Sequence, residues 1–246
     1  MARSIRILNC THKTSFENQG SFLVICYNNP MFNKNNILQE AEKLVYDKLH
    51  AESSGHDWWH AVRVRNTARE LAEKEGADSF ICQLTALVHD MADEKLIDNP
   101  EQALVELKDW LTNQGLAASD VNHIIQIINT MSFKGDGSSI PETLEGKIVQ
   151  DADRLDAIGA IGIARCMAYS GSKGRPIHDP DMKVREHLSH DEYRNGKDTA
   201  IIHFYEKMLK LKDLMNTDYA RKMADHRHKV LEEFLQEFYA EWDGKL

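Results

Sequence analysis

The chain is 246 residues long, 42% hydrophobic and 28% charged, enough for one large domain or a domain with an appendage. Its formal charge of -9 argues against a general nucleic-acid binder, whose affinity rests on cationic contacts to phosphate, but leaves room for a nucleotide site with local positive charge. No apolar run is long enough to span a bilayer, and the cysteines Cys10, Cys26, Cys82 and Cys166 lack metal-binding spacing and read as reduced thiols of a cytoplasmic protein.

The first thirty residues do not share the pattern of the rest. SFLVIC is too short for a signal-peptide core and reads either as an added strand or as an extension upstream of a start at Met31. The expected organisation is therefore an N-terminal extension over 1–30 and a helical domain over 31–246. From residue 35 onward the apolar residues recur at three-to-four spacing. Residues 37–49 place Ile37, Ala41, Leu44, Val45 and Leu49 on one face. Asp57 is positioned to cap the next helix, with Trp58 and Trp59 in its first turn, Ala61, Val64, Ala68, Leu71 and Ala72 on its apolar face, and Gly76 at its end. Asp78 caps a helix that runs through Ile81, Leu84, Thr85 and Val88 into His89 and Asp90. Pro100 opens a helix that closes near Gly115, and 120–131 forms another. A Gly/Ser-rich loop over 133–141 precedes a helix over 143–158 carrying Asp151, Asp153 and Asp156. A helix resumes after Gly159, a long irregular excursion covers 171–194 with His178, His187 and His190, and two long helices over 198–215 and 217–242 close the chain. The expected class is all-α.

Ala86 to Lys95, ALVHDMADEK, is the chemical centre of this reading. His89 and Asp90 offer one nitrogen and one oxygen donor at the end of an apolar helix. His60 projects from the buried side of its own helix. With one of Asp151, Asp153 or Asp156 they make a His/His/Asp/Asp set suited to Mn²⁺, Fe²⁺, Co²⁺, Ni²⁺, Zn²⁺ or Mg²⁺. Four protein donors on a six-coordinate ion leave two positions, one for a water whose pKa the ion lowers and one for a phosphoryl oxygen. Taken singly, an inward histidine is more often a hydrogen-bonded core residue; it is the combination that points to a metal. Asp151 leaves its helix on nearly the opposite face from Asp153, whereas Asp156 shares the Asp153 face.

HDWWHAVRV (56–64), LVHDMADEK (87–95), MSFKG (131–135), IVQDADRLDAIGAIGIAR (148–165) and HFYEKMLKLKDLM (203–215) together resemble the HD-domain superfamily of metal-dependent phosphohydrolases, in particular its small bacterial YedJ/YpgQ-like proteins. The resemblance runs from about residue 35 to the end. It implies an HD-type helical bundle, with His60, His89, Asp90 and Asp153 as ligands of a divalent metal, Mn²⁺ favoured. It also implies an acid/base role for Asp93 first and Glu94 second, in helping the leaving group depart. His56, Asp57, Asp151 and Asp156 are then supporting residues around the ligands. Arg63, Lys95, Lys134 and Arg154 are candidate phosphate contacts against a default of solvated surface charge, with Arg63 and Arg154 ahead because each neighbours a proposed ligand; His123 is a further candidate, about as readable as a core histidine. Trp58 and Trp59 offer either core packing or the stacking wall of a base pocket.

The implied activity is hydrolysis of a nucleotide, with release of pyrophosphate from a nucleoside triphosphate. 5′-Nucleotidase and phosphodiesterase activities are alternatives within the enzyme class. Guanosine-polyphosphate hydrolysis is disfavoured because those hydrolases carry a Glu-Asp step where this chain has Asp93-Glu94. A nucleotide-sensing or partner-binding module without turnover is the contrasting class, and the intact ligand set argues against it. The expected partner is a small nucleotide, with no membrane and no general nucleic acid; a homodimer through the last helix is possible on sequence grounds.

Overall fold

The computed structural model describes residues 13–18, 21–26, 33–51, 56–93, 97, 99–131, 139–185 and 198–246. Residues Lys13–Asn18 (β1) and Ser21–Cys26 (β2) pair as an antiparallel hairpin with Lys13 opposite Cys26 and Asn18 opposite Ser21. The added strand allowed for this segment is thus realised as a strand pair. From residue 33 onward the described chain is helical, and the all-α class holds for the domain.

α1 (Lys34–Leu49) buries Ile37, Ala41, Val45 and Leu49, the expected stripe, with Leu44 half-buried beside it. α2 (Trp58–Glu75) buries His60, Ala61, Val64, Ala68, Leu71 and Ala72. It starts where Asp57 accepts a hydrogen bond from the His60 amide and stops at Gly76, whose φ of 78° only glycine adopts readily. α3 (Ser79–Val88) is buried over nearly its whole circumference, with Phe80, Ile81, Cys82 and Leu84 to Val88 inside. A helix apolar all round belongs at the centre, and α3 packs against α1, α2, α5 and α6. α4 (Pro100–Asn113), opened by Pro100 under an Asn99 cap, packs on α5 (Ala118–Met131). α6 (Leu144–Asp156) carries the acidic cluster and packs on α2 and α3. α7 (Gly159–Ser172), α8 (Ala200–Glu206) and α9 (Asp218–Trp242) complete the order, with α9 lying across α2, α6 and α7.

Two expectations need correction. α3 does not continue through His89 and Asp90. It ends at Val88 and tightens into a 3₁₀ turn, His89–Ala92, after Val88 takes φ -98° and ψ 1°. The expected single helix over 198–215 is also broken. α8 stops at Glu206, Lys207 takes φ -133° and ψ -61°, and Met208–Leu214 follows as 3₁₀ turns. Buried Glu206 sits at the break, where Arg185 donates to it from its backbone N at 3.0 Å, Nε at 2.9 Å and NH2 at 2.8 Å.

The irregular excursion begins after Ser172 and is tied back at several points. Arg175 pairs with Asp198 at 3.0 Å, and Ala200 and Ile201 donate backbone hydrogen bonds to Pro176 and Ile177. His187 and His190 lie outside the described residues.

Candidate metal centre

The N-terminus of α2, the turn after α3 and the last turn of α6 converge. Asp57 caps α2 through the His60 amide at 2.8 Å and so fixes the helix on which His60 sits. His60 is fully buried. Its Nδ1 donates to Asp156 Oδ2 at 2.7 Å, which leaves Nε2 with its lone pair facing away from Asp156. His89 is held the same way by a backbone acceptor: Nδ1 donates to Ala86 O at 2.8 Å. Both Nε2 atoms are buried and have no hydrogen-bond partner among the described residues. Two inward bases left unsatisfied in a core are costly unless something else binds them.

Two carboxylates face these nitrogens. His60 Nε2 lies 3.4 Å from Asp90 Oδ2 and 3.5 Å from Asp153 Oδ1. His89 Nε2 lies 3.2 Å from Asp90 Oδ1 and 3.8 Å from Asp153 Oδ1. Donors bound to one ion at about 2.1 Å stand no more than about 4.2 Å apart; the four histidine–carboxylate separations meet that limit, and His60, His89 and Asp153 group closely enough for an ion. The tightened turn lets neighbouring His89 and Asp90 both reach the centre. Asp90 is almost wholly buried, whereas the Asp153 side chain is 36% exposed, so the cluster opens to solvent on the α6 side. The C-terminal end of α6 adds the negative pole of its helix dipole there. The donor set and its orphaned imidazoles fit a divalent cation.

Electrostatics point the same way. Burial disfavours charge on His60, but the Asp156 carboxylate hydrogen-bonded at Nδ1 and the nearby negative charge of Asp90 outweigh it and hold the ion-free imidazole at a pKa of about 9. Burial would raise Asp90, yet His89 and His56 hold it well below the ordinary carboxylate range. Asp153 is likewise lowered against its desolvation, by His89 and His60. The site is built to keep carboxylates ionised.

The supporting residues divide sharply. His56 Nδ1 is 3.0 Å from Asp90 Oδ2, and His56, His60 and Asp90 also group closely enough for an ion. Asp156 receives His60, Arg63 through Nε at 2.7 Å and NH2 at 3.0 Å, and Arg165 NH1 at 3.0 Å. Arg63 thus grips Asp156. Asp151 turns away from the cluster. It accepts from Asn216 N and Thr217 N at 2.8 Å, from Asn216 Nδ2 at 2.9 Å and from Thr217 Oγ1 at 2.8 Å, bracing the start of α9. Arg154 is buried and donates to the Leu214 carbonyl. His123 is half-buried and bonded through Nε2 to Thr143 Oγ1 at 2.8 Å, at the opposite end of α6 from Asp153. It is not brought to the cluster. Asp93 caps the 3₁₀ turn, half-buried. Glu94, Lys95 and Lys134 lie outside the described residues. Trp58 packs against the core, and Trp59 is 62% exposed.

Two cations escaped the sequence reading. Arg165 reaches Asp156 because α7 folds back on α6. Gly159 turns at φ 73°, and a Cβ on Gly162 would sit 2.4 Å from the Ala157 carbonyl oxygen. Lys207 sits half-buried at the helix break, electrostatically coupled to Asp153 and Asp93 as well as to Arg165. Burial lowers its pKa first, and Asp153 counteracts that. Their signals were the glycines after Asp156 and the HFYEKM segment, but neither shows which carboxylate the cation meets.

The chain is similar to several known proteins. The HD domain family model matches residues 58–158. YpgQ of Bacillus subtilis is 40% identical over 212 residues, spanning 84% of this chain and 96% of its own. Its crystal structure in complex with ADP superposes with a TM-score of 0.70, at 36% identity over 85% of this chain and 96% of that one. A Lactobacillus plantarum structure gives 0.76, at 44% identity over 85% and 98%. An HD-superfamily hydrolase from Bacillus thuringiensis gives 0.68, at 40% identity over 86% and 99%. With its helical core, its paired histidines and these relatives, the chain belongs to the HD-domain superfamily of metal-dependent hydrolases.

Proposed function

We propose that the protein is a phosphohydrolase acting on nucleotides, with His60, His89, Asp90 and Asp153 holding one divalent ion, Mn²⁺ favoured, and that it cleaves nucleoside triphosphates with release of pyrophosphate. The observation that carries this reading is the pair of buried Nε2 atoms, without hydrogen-bond partners among the described residues, facing Asp90 and Asp153. The complex of YpgQ with ADP supports a nucleotide as ligand.

A bound divalent ion supplies a more acidic water and a positive charge beside the phosphoryl group. The protein supplies the rest. Asp156 and the Ala86 carbonyl hold the two imidazoles in the tautomer that presents Nε2. Asp153, partly exposed, marks the side from which substrate approaches. Lys207 and Arg165 set positive charge beside it, where the phosphate chain gathers negative charge. Asp93, near Lys207, holds or delivers the proton that the leaving phosphate oxygen takes up. Arg63 serves through Asp156.

The test is turnover by purified protein with Mn²⁺, Mg²⁺, Ni²⁺ or no metal against a nucleotide panel, scoring phosphate and pyrophosphate separately. Metal-dependent pyrophosphate release that vanishes in a His89→Ala/Asp90→Ala variant is expected. Activity that survives the double substitution rejects the site.

A further inference from the structure

Among the described residues, the ring contact of Trp59 is with Trp58. Of the two tryptophans opening α2, Trp58 sits against the core and meets Tyr46 edge-on, with ring centroids 5.7 Å apart at 85°. Trp59 keeps 62% of its surface exposed and touches Trp58 along one side, at 6.4 Å and 52°. Its backbone is nevertheless held firmly, because the Asp57 cap closes around it onto the His60 amide at 2.8 Å.

Its position relates to the metal cluster in two ways. It immediately precedes His60, so the two Cα atoms stand about 3.8 Å apart. It also lies four residues before Arg63, on the same face of α2, and Arg63 is clamped on Asp156. The cations Arg165 and Lys207 come from α7 and the end of α8, whereas Trp59 rises from the N-terminus of α2. A nucleotide has its charge at one end and its flat base at the other. With its phosphates near Asp153, Arg165 and Lys207, a ring at the rim of α2 is the surface its other end meets.

We propose that Trp59 is the platform on which the base of a bound nucleotide stacks, a role that rests on the nucleotide reading above. Stacking on an indole tolerates any base, because every base offers a π face. The platform therefore selects for a base over bare polyphosphate and leaves base identity open. Trp58, braced by Tyr46, backs it.

The experiment compares wild type, Trp59→Ala and Trp59→Phe, all Mn²⁺-loaded, by calorimetry with ADP and with inorganic pyrophosphate and by kinetics with a nucleoside triphosphate and inorganic tripolyphosphate. W59A is expected to weaken ADP and raise the nucleotide KM by about tenfold, within the range of base–aromatic stacking. It should leave kcat, pyrophosphate binding and tripolyphosphate kinetics unchanged, and W59F should recover most of the loss. Equal ADP affinity in W59A and wild type overturns the platform, as does no ADP binding by either. An equal loss for pyrophosphate also overturns it, placing the effect on the fold or the ion; a change of oligomeric state in W59A with unaltered ADP affinity assigns the ring to a second copy instead. ADP binding that depends on Trp59 without any turnover sinks the hydrolase reading and leaves the platform standing.

Discussion

Asp156 Oδ2 lies 2.7 Å from His60 Nδ1, and that one bond decides which face of the imidazole is left for a metal. The same carboxylate is gripped by Arg63 and Arg165, so its position is set by two further helix contacts. Asp156→Asn keeps the shape but loses the charge and the strict acceptor. Metal affinity is expected to fall by 10- to 100-fold, the scale of such supporting contacts, with His60, His89, Asp90 and Asp153 all present. Calorimetric titration with Mn²⁺ checks it; an unchanged affinity means that His60 needs no such partner.

The raised His60 pKa fixes the direction of a pH effect. Its ion-free pKa of about 9 exceeds the ordinary 6.5, so the protonated imidazole stabilises the ion-free fold fully below 6.5, and that contribution is lost as pH rises through 9. A metal at Nε2 must displace this proton. Below 9 the apparent metal affinity therefore rises with pH, by up to about tenfold per unit, and it flattens above 9. Binding at neutral pH releases close to one proton from His60. Titrations in buffers of different ionisation enthalpy count it, and no buffer dependence at pH 7 would refute the assignment.

Asp151 and Asp153 are two residues apart and are expected to fail differently. Asp151→Ala strips four hydrogen bonds from the start of α9 and leaves buried donors unpaired. A loss of about 2–3 kcal/mol is expected, with metal stoichiometry unchanged in the folded fraction. Asp153→Ala removes a partly exposed carboxylate and should lose the metal with little change in ion-free stability. Urea midpoints and metal content of both variants decide the matter; the reverse pattern would exchange their roles.

Lys207→Gln removes the cation coupled to Asp153 and Asp93. The expected result is a fall of about 10²-fold in kcat/KM, as for loss of a charge-stabilising donor, with metal affinity retained. Steady-state kinetics on the metal-loaded variant check this, and full activity would leave Lys207 a structural residue.

Much of the fold was legible because its signals are local. Asp57, Asp78 and Pro100 announce helix starts, Gly76 an end, and the spacing of Ile37, Ala41, Val45 and Leu49 a buried face. His60, His89 and Asp90 could be read together because His60 opens the buried stripe of α2 and His89 and Asp90 follow the apolar run of α3. What stayed hidden depends on distant partners. Arg154 follows Asp153 in sequence yet turns to the Leu214 carbonyl, and His123 is claimed by the Thr143 cap of α6. The grip of Arg185 on Glu206 beside the break at Lys207 is a distant pairing that periodicity cannot carry.

Four side chains from α2, the turn after α3 and α6 are proposed to share one cation, and anomalous diffraction from crystals grown with Mn²⁺ locates it. One strong peak is expected within bonding distance of His60 Nε2, His89 Nε2, an Asp90 oxygen and an Asp153 oxygen. A peak elsewhere, or none at saturating Mn²⁺, rules the shared site out.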